Sequence, residues 1–125
     1  MDISSFVVEN KITIKNVKTD RNPNILDFEG DHWKSTIKMN GKQLTIPFSK
    51  GYGHNGKEPT IDEVLECLVL DAQSVLNYDE CEFIDEYGYD CREGRKIYKE
   101  CEKSNESLKK LFGDLYTVLM NDVEF

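Results

Sequence analysis

The chain has 125 residues and carries 24 Asp and Glu against 16 Lys and Arg, a formal net charge of −8. A chain of this length builds a modest core, so we expect one α+β domain over residues 1–125. The charge disfavours direct binding to nucleic acid, because that binding requires Lys and Arg to release counterions. The N-terminus lacks a secretion signal, and no window approaches the ~18 apolar residues of a membrane span. We therefore predict a cytosolic protein without a membrane partner, and we favour a monomer.

Alternating apolar and polar residues predict one strand near the N-terminus. Residues Phe6–Val17 alternate around Ile12 and Ile14, a pattern typical of a half-buried strand whose polar side chains face outward. The next segment, Thr19–Gly30, is rich in Asp, Asn, Pro and Gly. These residue types favour turns, so we predict a loop there.

A β-hairpin is predicted between residues 32 and 48. Its strands are His32–Met39 and Lys42–Phe48, and they are separated by Asn40-Gly41. This dipeptide is a strong hairpin signal because both turn positions require positive φ. Pro47 has no amide hydrogen to donate, so the second strand is predicted to lie at a sheet edge or to end in a bulge there.

A long helix is predicted from Thr60 to Asn77. It begins with a capping box, in which the Thr60 hydroxyl accepts from the Glu63 amide and the Glu63 side chain accepts from the Thr60 amide. Its apolar residues repeat at three and four positions, which predicts a buried stripe. The stripe consists of Ile61, Val64, Leu65, Leu68, Ala72, Val75 and Leu76.

Two further helices follow in the sequence. The first is short, with Asp79 as its cap and Gly88 as its left-handed end. The second starts near Glu93, and its apolar stripe crosses Gly113, where the helix continues, kinks or restarts. Strands first and helices afterwards predict a small antiparallel sheet, the N-terminal strand plus the hairpin, packed against three C-terminal helices.

The glycine-rich segment Gly51–Glu58 matches the spacing of two phosphate-binding motifs. Both matches fail in context, because the following helix begins only at Thr60, and Glu58 occupies the position of the hydroxyl that binds Mg²⁺. No nucleophile motif accompanies His32 or His54. We therefore expect a protein that is not an enzyme.

Acidic residues dominate one stretch of the chain. Between Glu58 and Cys91 the sequence contains eleven carboxylates and no Lys or Arg. One interpretation is a solvated helix face with acids near helix N-termini, where the helix dipole stabilises them. The other is a negative surface that attracts a basic partner.

The sequence also offers five soft metal ligands. They are His54, Cys67, Cys81, Cys91 and Cys101. Thiolate and imidazole together favour Zn²⁺, and a structural zinc site uses four ligands. No Cys-x-x-Cys pair is present, so a site would join distant elements. The alternative is that Cys67 and Cys101 are small core residues.

Several short motifs resemble a family of small phage and prophage proteins over roughly residues 33–112. The matching motifs are Trp33-Lys34, Thr36-Ile37-Lys38, Asn40-Gly41-Lys42, Pro47-Phe48-Ser49, Gly51, Pro59-Thr60, Val64-Leu65, Cys67-Leu68, Asp71-Ala72, Tyr87-Gly88-Tyr89-Asp90, Arg95-Lys96, Tyr98 and Cys101. The turn between Asp90 and Arg95 is shorter than in that family. Some of its members are anti-CRISPR proteins that inhibit type II-A Cas9, and at least one resembles a zinc metalloprotein.

The resemblance implies a phage-encoded protein that binds Cas9 in the host bacterial cytosol and blocks target DNA loading. Cas9 holds nucleic acid in a positively charged channel, so carboxylates would supply the contact. The predicted contact residues are Asp79, Glu80, Glu82, Asp85, Glu86 and Asp90. It also implies zinc held by four of the five ligands above. The alternative is a phage accessory protein of another function, either a structural-zinc module or a simple interaction module.

Overall fold

The computed structural model describes residues 1–19, 32–50 and 58–125. Its elements in chain order are α1 (Ile3–Glu9), β1 (Thr13–Thr19), β2 (His32–Met39), β3 (Lys42–Lys50), α2 (Ile61–Asn77), α3 (Glu80–Tyr87), α4 (Cys91–Phe112), a 3₁₀ turn (Gly113–Leu115) and α5 (Tyr116–Asn121). The three strands form one antiparallel sheet in the order β1-β2-β3, so the predicted α+β class is confirmed. Apart from Thr19, the predicted loop Thr19–Gly30 lies outside the described residues, as does most of the glycine-rich segment.

The chain divides into two compact units. Unit 1 comprises Met1–Val64 and Val123–Phe125, and unit 2 comprises Leu65–Asp122. Unit 1 contains the sheet and α1, whereas unit 2 contains most of α2 and all of α3, α4 and α5. Within the described ranges, no helix has the length and apolarity needed to cross a membrane.

The prediction of a strand beginning at Phe6 is wrong, because residues Ile3–Glu9 form helix α1. Asp2 caps this helix by accepting from the Ser5 amide at 2.7 Å. Phe6 is fully buried while Val8 is 76% exposed, an outcome that a strand alternation could not produce because the two would share a face. The strand itself starts later, at Thr13, with Ile12 buried just before it.

The predicted hairpin is confirmed. Asn40 and Gly41 have φ of 49° and 78°, as the tight turn requires. β3 lies at an edge of the three-stranded sheet, and its register against β2 shifts by one residue opposite Trp33–Ser35. The shift falls beside Pro47, so the predicted edge strand and the bulge are confirmed, but β3 does not end there and continues to Lys50.

The long helix α2 also follows its prediction, including the capping box. The Glu63 amide donates to the Thr60 hydroxyl at 3.2 Å, and the Thr60 amide donates to the Glu63 carboxylate at 3.2 Å. Most of the predicted stripe is buried or half-buried, but Leu76 is 56% exposed, so its assignment to the core is wrong. Val69, 1% exposed, was missed as a core residue.

Two aspartates fix the starts of α3 and α4. Asp79 caps α3 in a capping box with Glu82, and α3 ends at Gly88 with φ of 70°. Asp90 accepts from the Glu93 amide at 2.8 Å, so α4 begins at Cys91, two residues earlier than predicted. α4 ends at Phe112, and the chain restarts as a 3₁₀ turn at Gly113, which is one of the three predicted outcomes.

Helices α3 and α4 pack closely at Gly94. This glycine is buried, and a β-carbon placed on it would lie 2.5 Å from Cγ1 of Ile84 and 3.2 Å from Cβ of Tyr89. Side chains do not approach this closely, so the absence of a side chain at position 94 permits the contact. Phe83, 3% exposed, is buried in the same helix pair.

We expect Gly94→Ala to lower the free energy of unfolding. Overpacking at such a contact costs about 1–3 kcal/mol, which exceeds the gain of about 1 kcal/mol from replacing glycine in a helix. Urea unfolding followed by circular dichroism measures the difference. In an Ile84→Ala background the same substitution should cost less, because Cγ1 is removed. A Gly94→Ala protein that is more stable than the wild type would contradict the packing described here.

Candidate functional site

The carboxylates predicted to bind a partner lie on α3 and at its two ends. They are Asp79, Glu80, Glu82, Asp85, Glu86 and Asp90, and all but the half-buried Glu80 are exposed. The three residues Glu82, Asp85 and Glu86 follow at three and four positions, so they share one face of the helix. We call these six residues the acidic surface.

Four members of the acidic surface have local partners. Asp79 and Glu82 form the capping box of α3, and Asp90 caps α4. Glu80 forms an ion pair with Arg95, with 3.0 Å between a carboxylate oxygen and Nε. The hydrogen bond from the Glu82 amide lowers the pKa of Asp79, so this exposed cap stays ionised. These contacts agree with the interpretation that acids serve helix N-termini.

Asp85 and Glu86 have no such structural role. Within the part of the chain that the structure describes, neither side chain has a hydrogen bond or ion pair. Both lie in the last turn of α3, which contains no basic residue. The helix dipole is negative at this end and disfavours carboxylates, and Glu82 with Glu86 adds a like-charge pair at i,i+4. The fold therefore gains nothing from these two charges.

An aromatic cluster adjoins the acidic surface. Phe83 is at its centre, with ring centroids 4.8 Å from Tyr87, 5.9 Å from Tyr89 and 5.4 Å from Tyr98. Tyr87, which directly follows Glu86 in the sequence, remains 51% exposed. The Tyr98 hydroxyl donates to the Tyr78 carbonyl at 2.9 Å. An ordered aromatic ring thus reaches the surface beside unpaired carboxylates.

Two of the predicted metal ligands converge on a carboxylate inside unit 2. Cys67 and Cys101 both lie close enough to the Asp71 carboxylate for its charge to raise the pKa of their thiols. The Ser104 hydroxyl donates to Asp71, at 3.2 Å. Cys67 and Asp71 are four residues apart on α2, while Cys101 and Ser104 are three apart on α4. We call these four residues the thiol cluster.

Burial governs the ionisation of the thiol cluster. Desolvation, followed by the charge of Asp71, raises the pKa of Cys101 to about 12 and also raises the pKa of Cys67. Desolvation raises the pKa of Asp71 too, although the hydrogen bond from Ser104 acts against it. Both cysteines are therefore thiols at neutral pH, and as thiols they are poor nucleophiles.

The other predicted ligands lie elsewhere. Cys81 lies in the first turn of α3 and Cys91 is the first residue of α4, and both are exposed. His54 lies outside the described residues. Within residues 1–19, 32–50 and 58–125, no three His, Cys, Asp or Glu side chains are arranged to hold a metal ion. The described residues alone do not supply a zinc ligand set.

Sequence reasoning missed Asp71, Ser104 and Tyr87. The spacing of Cys67 and Asp71 at i,i+4 places them on one helix face and could have paired them. Their meeting with α4 depends on tertiary packing and has no local signal. The N-terminal cap of α4, in contrast, does have a local sequence signal, because Asp90-x-x-Glu93 repeats the pattern of Asp79-x-x-Glu82.

Comparison of the chain with protein-family models, with curated proteins and with solved structures found no match.

We expect Asp71→Asn to change how stability depends on pH. The pKa of Asp71 is higher in the folded state than the unfolded value of 3.8. The contribution of this carboxyl to the free energy of unfolding is therefore fully present below pH 3.8 and is lost as pH rises through the folded-state pKa. The amide keeps an oxygen acceptor for Ser104 and has no charge to desolvate. The variant should therefore lack this loss of stability on the alkaline side of pH 3.8, as measured by urea unfolding across a pH series.

Asp114→Asn is the control, because it removes an exposed carboxylate in the same unit. If the difference in unfolding free energy between the Asp71 variant and the wild type stays constant across the series, the buried carboxylate is not the cause.

Proposed function

We propose that this chain is a non-catalytic binding protein whose acidic surface occupies a basic protein surface. Asp85 and Glu86 carry the proposal, because they are exposed, unpaired with described residues, and unfavourably placed for their own helix. A basic partner would offset that cost. Following the family resemblance, the proposed partner is a type II-A Cas9 in the host bacterial cytosol, and the proposed effect is a block of target DNA loading.

The distribution of charge supports this proposal. Unit 2 contains 14 Asp and Glu against 7 Lys and Arg, whereas unit 1 contains 10 against 9. Nearly all of the net charge thus belongs to the unit that carries the acidic surface. Such a field accelerates the approach of a positive partner and weakens with added salt.

Tyr87 supplies the second component of a protein-binding surface. Binding energy is usually concentrated in a few aromatic and arginine side chains inside a polar rim. An exposed tyrosine whose ring packs on Phe83 is already ordered, so binding costs little side-chain entropy. Carboxylates beside an aromatic face suit an arginine guanidinium, which pairs with the acid and stacks on the ring.

Reversing the two unpaired charges should separate binding from stability. In Asp85→Lys with Glu86→Lys, cations replace anions at the negative end of α3, so the free energy of unfolding should rise by about 0.3–1 kcal/mol. Affinity for guide-loaded Cas9 should fall by roughly tenfold or more, equivalent to about 1.4 kcal/mol. Biolayer interferometry at two salt concentrations measures binding, and a DNA cleavage assay measures inhibition.

The matched control reverses Glu66 and Glu102, which are exposed in the same unit and make the same change in net charge. It should retain inhibition better than the α3 variant does. Unchanged Cas9 inhibition and salt dependence after reversal of Asp85 and Glu86 would exclude the acidic surface as the contact. Absence of any binding by the wild type would exclude Cas9 itself.

A second candidate function is a phage accessory protein of another kind, held together by structural zinc and without catalytic activity. The positions of Cys67 and Cys101 in unit 2 favour it, because the charge of the same carboxylate, Asp71, raises the pKa of both thiols. Bound zinc would ionise these thiols and stabilise the folded chain. Its full ligand set would be four of His54, Cys67, Cys81, Cys91 and Cys101.

Elemental analysis of the purified chain tests the zinc proposal. We expect about one zinc per chain, and loss of zinc and of thermal stability in Cys67→Ser and Cys101→Ser. Variants Cys81→Ser, Cys91→Ser and His54→Ala then identify the remaining ligands by the same readout. Less than about half an equivalent, with unfolding unaffected by a chelator, rules zinc out.

A further inference from the structure

The outward face of the sheet in unit 1 is basic. Strands β1, β2 and β3 contain no Asp or Glu, although the chain has 24 of them. Lys15 pairs across strands with Thr36, and Thr36 is two residues from both Lys34 and Lys38. Paired residues and residues two apart point to the same side of a sheet. Lys15, Lys34 and Lys38 therefore share one face, and all three are exposed.

The opposite side of the sheet is buried, and this leaves the side with the lysines exposed to solvent. Ser35, Ile37 and Met39 alternate with the lysines of β2 and are buried. The sheet thus has one side in the core and one in solvent, as is common for antiparallel sheets. The remaining described positions on the outward face are Thr13, Val17, Thr36, Gln43 and Thr45.

The hairpin end of the sheet adds two more lysines. Lys11 and Lys42 line an open recess of about 270 Å³ together with Lys38 and Thr13. The Thr13 hydroxyl supplements the three ammonium groups as a donor. None of the lysines at positions 11, 15, 34, 38 and 42 forms an ion pair with a carboxylate of the described residues. We call Lys15, Lys34 and Lys38 the lysine face, because Lys42 pairs with the buried Met39 and so belongs to the other side of the sheet.

The spacing of the lysine face matches a regular polyanion. Along β2 each pair of residues advances roughly 7 Å, so Lys34, Lys15 and Lys38 are offset from one another by that length along the strand direction, with Lys15 on the neighbouring strand β1. One strand of a duplex places a phosphate every 3.4 Å or so along its axis. Measured along the duplex axis, each step of the lysine face therefore corresponds to about two nucleotides. Threonine and glutamine side chains between the lysines are further donors for phosphate oxygens.

We propose that the lysine face binds the phosphate backbone of a nucleic-acid duplex. The other outward side chains offer hydroxyls, an amide and Val17, so the contact is with phosphates and not with stacked bases. The proposal revises the expectation from net charge, because unit 1 is nearly neutral while unit 2 holds the excess of acid. It involves none of the residues of the acidic surface, so it holds or fails independently of Cas9 binding.

Fluorescence polarisation with labelled duplexes tests the lysine face. The probes are a DNA duplex of about 20 base pairs and an RNA duplex of the same sequence, titrated with the full chain between about 50 and 200 mM salt. In the triple variant Lys15→Gln, Lys34→Gln, Lys38→Gln, the affinity for both duplexes should fall at least roughly tenfold. The slope of log affinity against log salt should shrink by about 2.7 for DNA, or 0.9 per lysine.

The control is the triple variant Lys96→Gln, Lys99→Gln, Lys103→Gln. These three lysines are exposed on α4, and their replacement gives the chain the same net charge as the sheet variant has. Its affinity should stay within roughly twofold of the wild type. Circular dichroism verifies that both variants are folded. The proposal is overturned if the wild type binds neither duplex at the lowest salt, or if both variants lose affinity equally. Tighter binding to polyglutamate than to either duplex would also overturn it, in favour of an acidic protein partner.

Discussion

Every α-helix that begins after a loop must satisfy backbone amides that have no partner within the helix. In this chain an oxygen side chain meets that need at Asp2, Thr60, Asp79 and Asp90, which set the starts of α1, α2, α3 and α4. The same requirement explains much of the acid-rich sequence. Carboxylates at helix starts cost little and stabilise the fold, so a count of acids overstates the number available to a partner.

The position of a carboxylate along its helix is therefore more informative than its sign. Asp79 and Glu82 lie at the favourable end of α3, and their removal would cost stability before it affected any partner. Asp85 and Glu86 lie at the unfavourable end beside an exposed tyrosine. A residue whose charge opposes its own helix needs another explanation, and the proposed binding would supply one. This distinction narrows the acidic surface from six residues to a centre of two.

Local patterns predicted those features of the fold that depend on few residues. The Asn40-Gly41 hairpin, the Thr60 capping box and the Gly88 helix end each follow from backbone conformations that few residue types favour. The prediction of a strand at Phe6 failed because an apolar residue beside a strand pattern fits a helix equally well. Only the cap at Asp2 distinguishes the helix from the strand. The lysine face depends on cross-strand register, and the thiol cluster depends on the packing of α2 and α4 within unit 2. Neither property can be read from spacing along one element.

Segregation of charge between the two units changes what the net charge of −8 implies. A uniform negative surface would repel nucleic acid everywhere, but screening limits such repulsion to about 8 Å at physiological salt. Lysines on the sheet thus interact mainly with charges within about 8 Å of them, and carboxylates farther away have little effect. Each unit is therefore expected to attract ligands by its own local charge, so cations would approach the acidic surface of unit 2 and phosphates would approach the lysine face of unit 1.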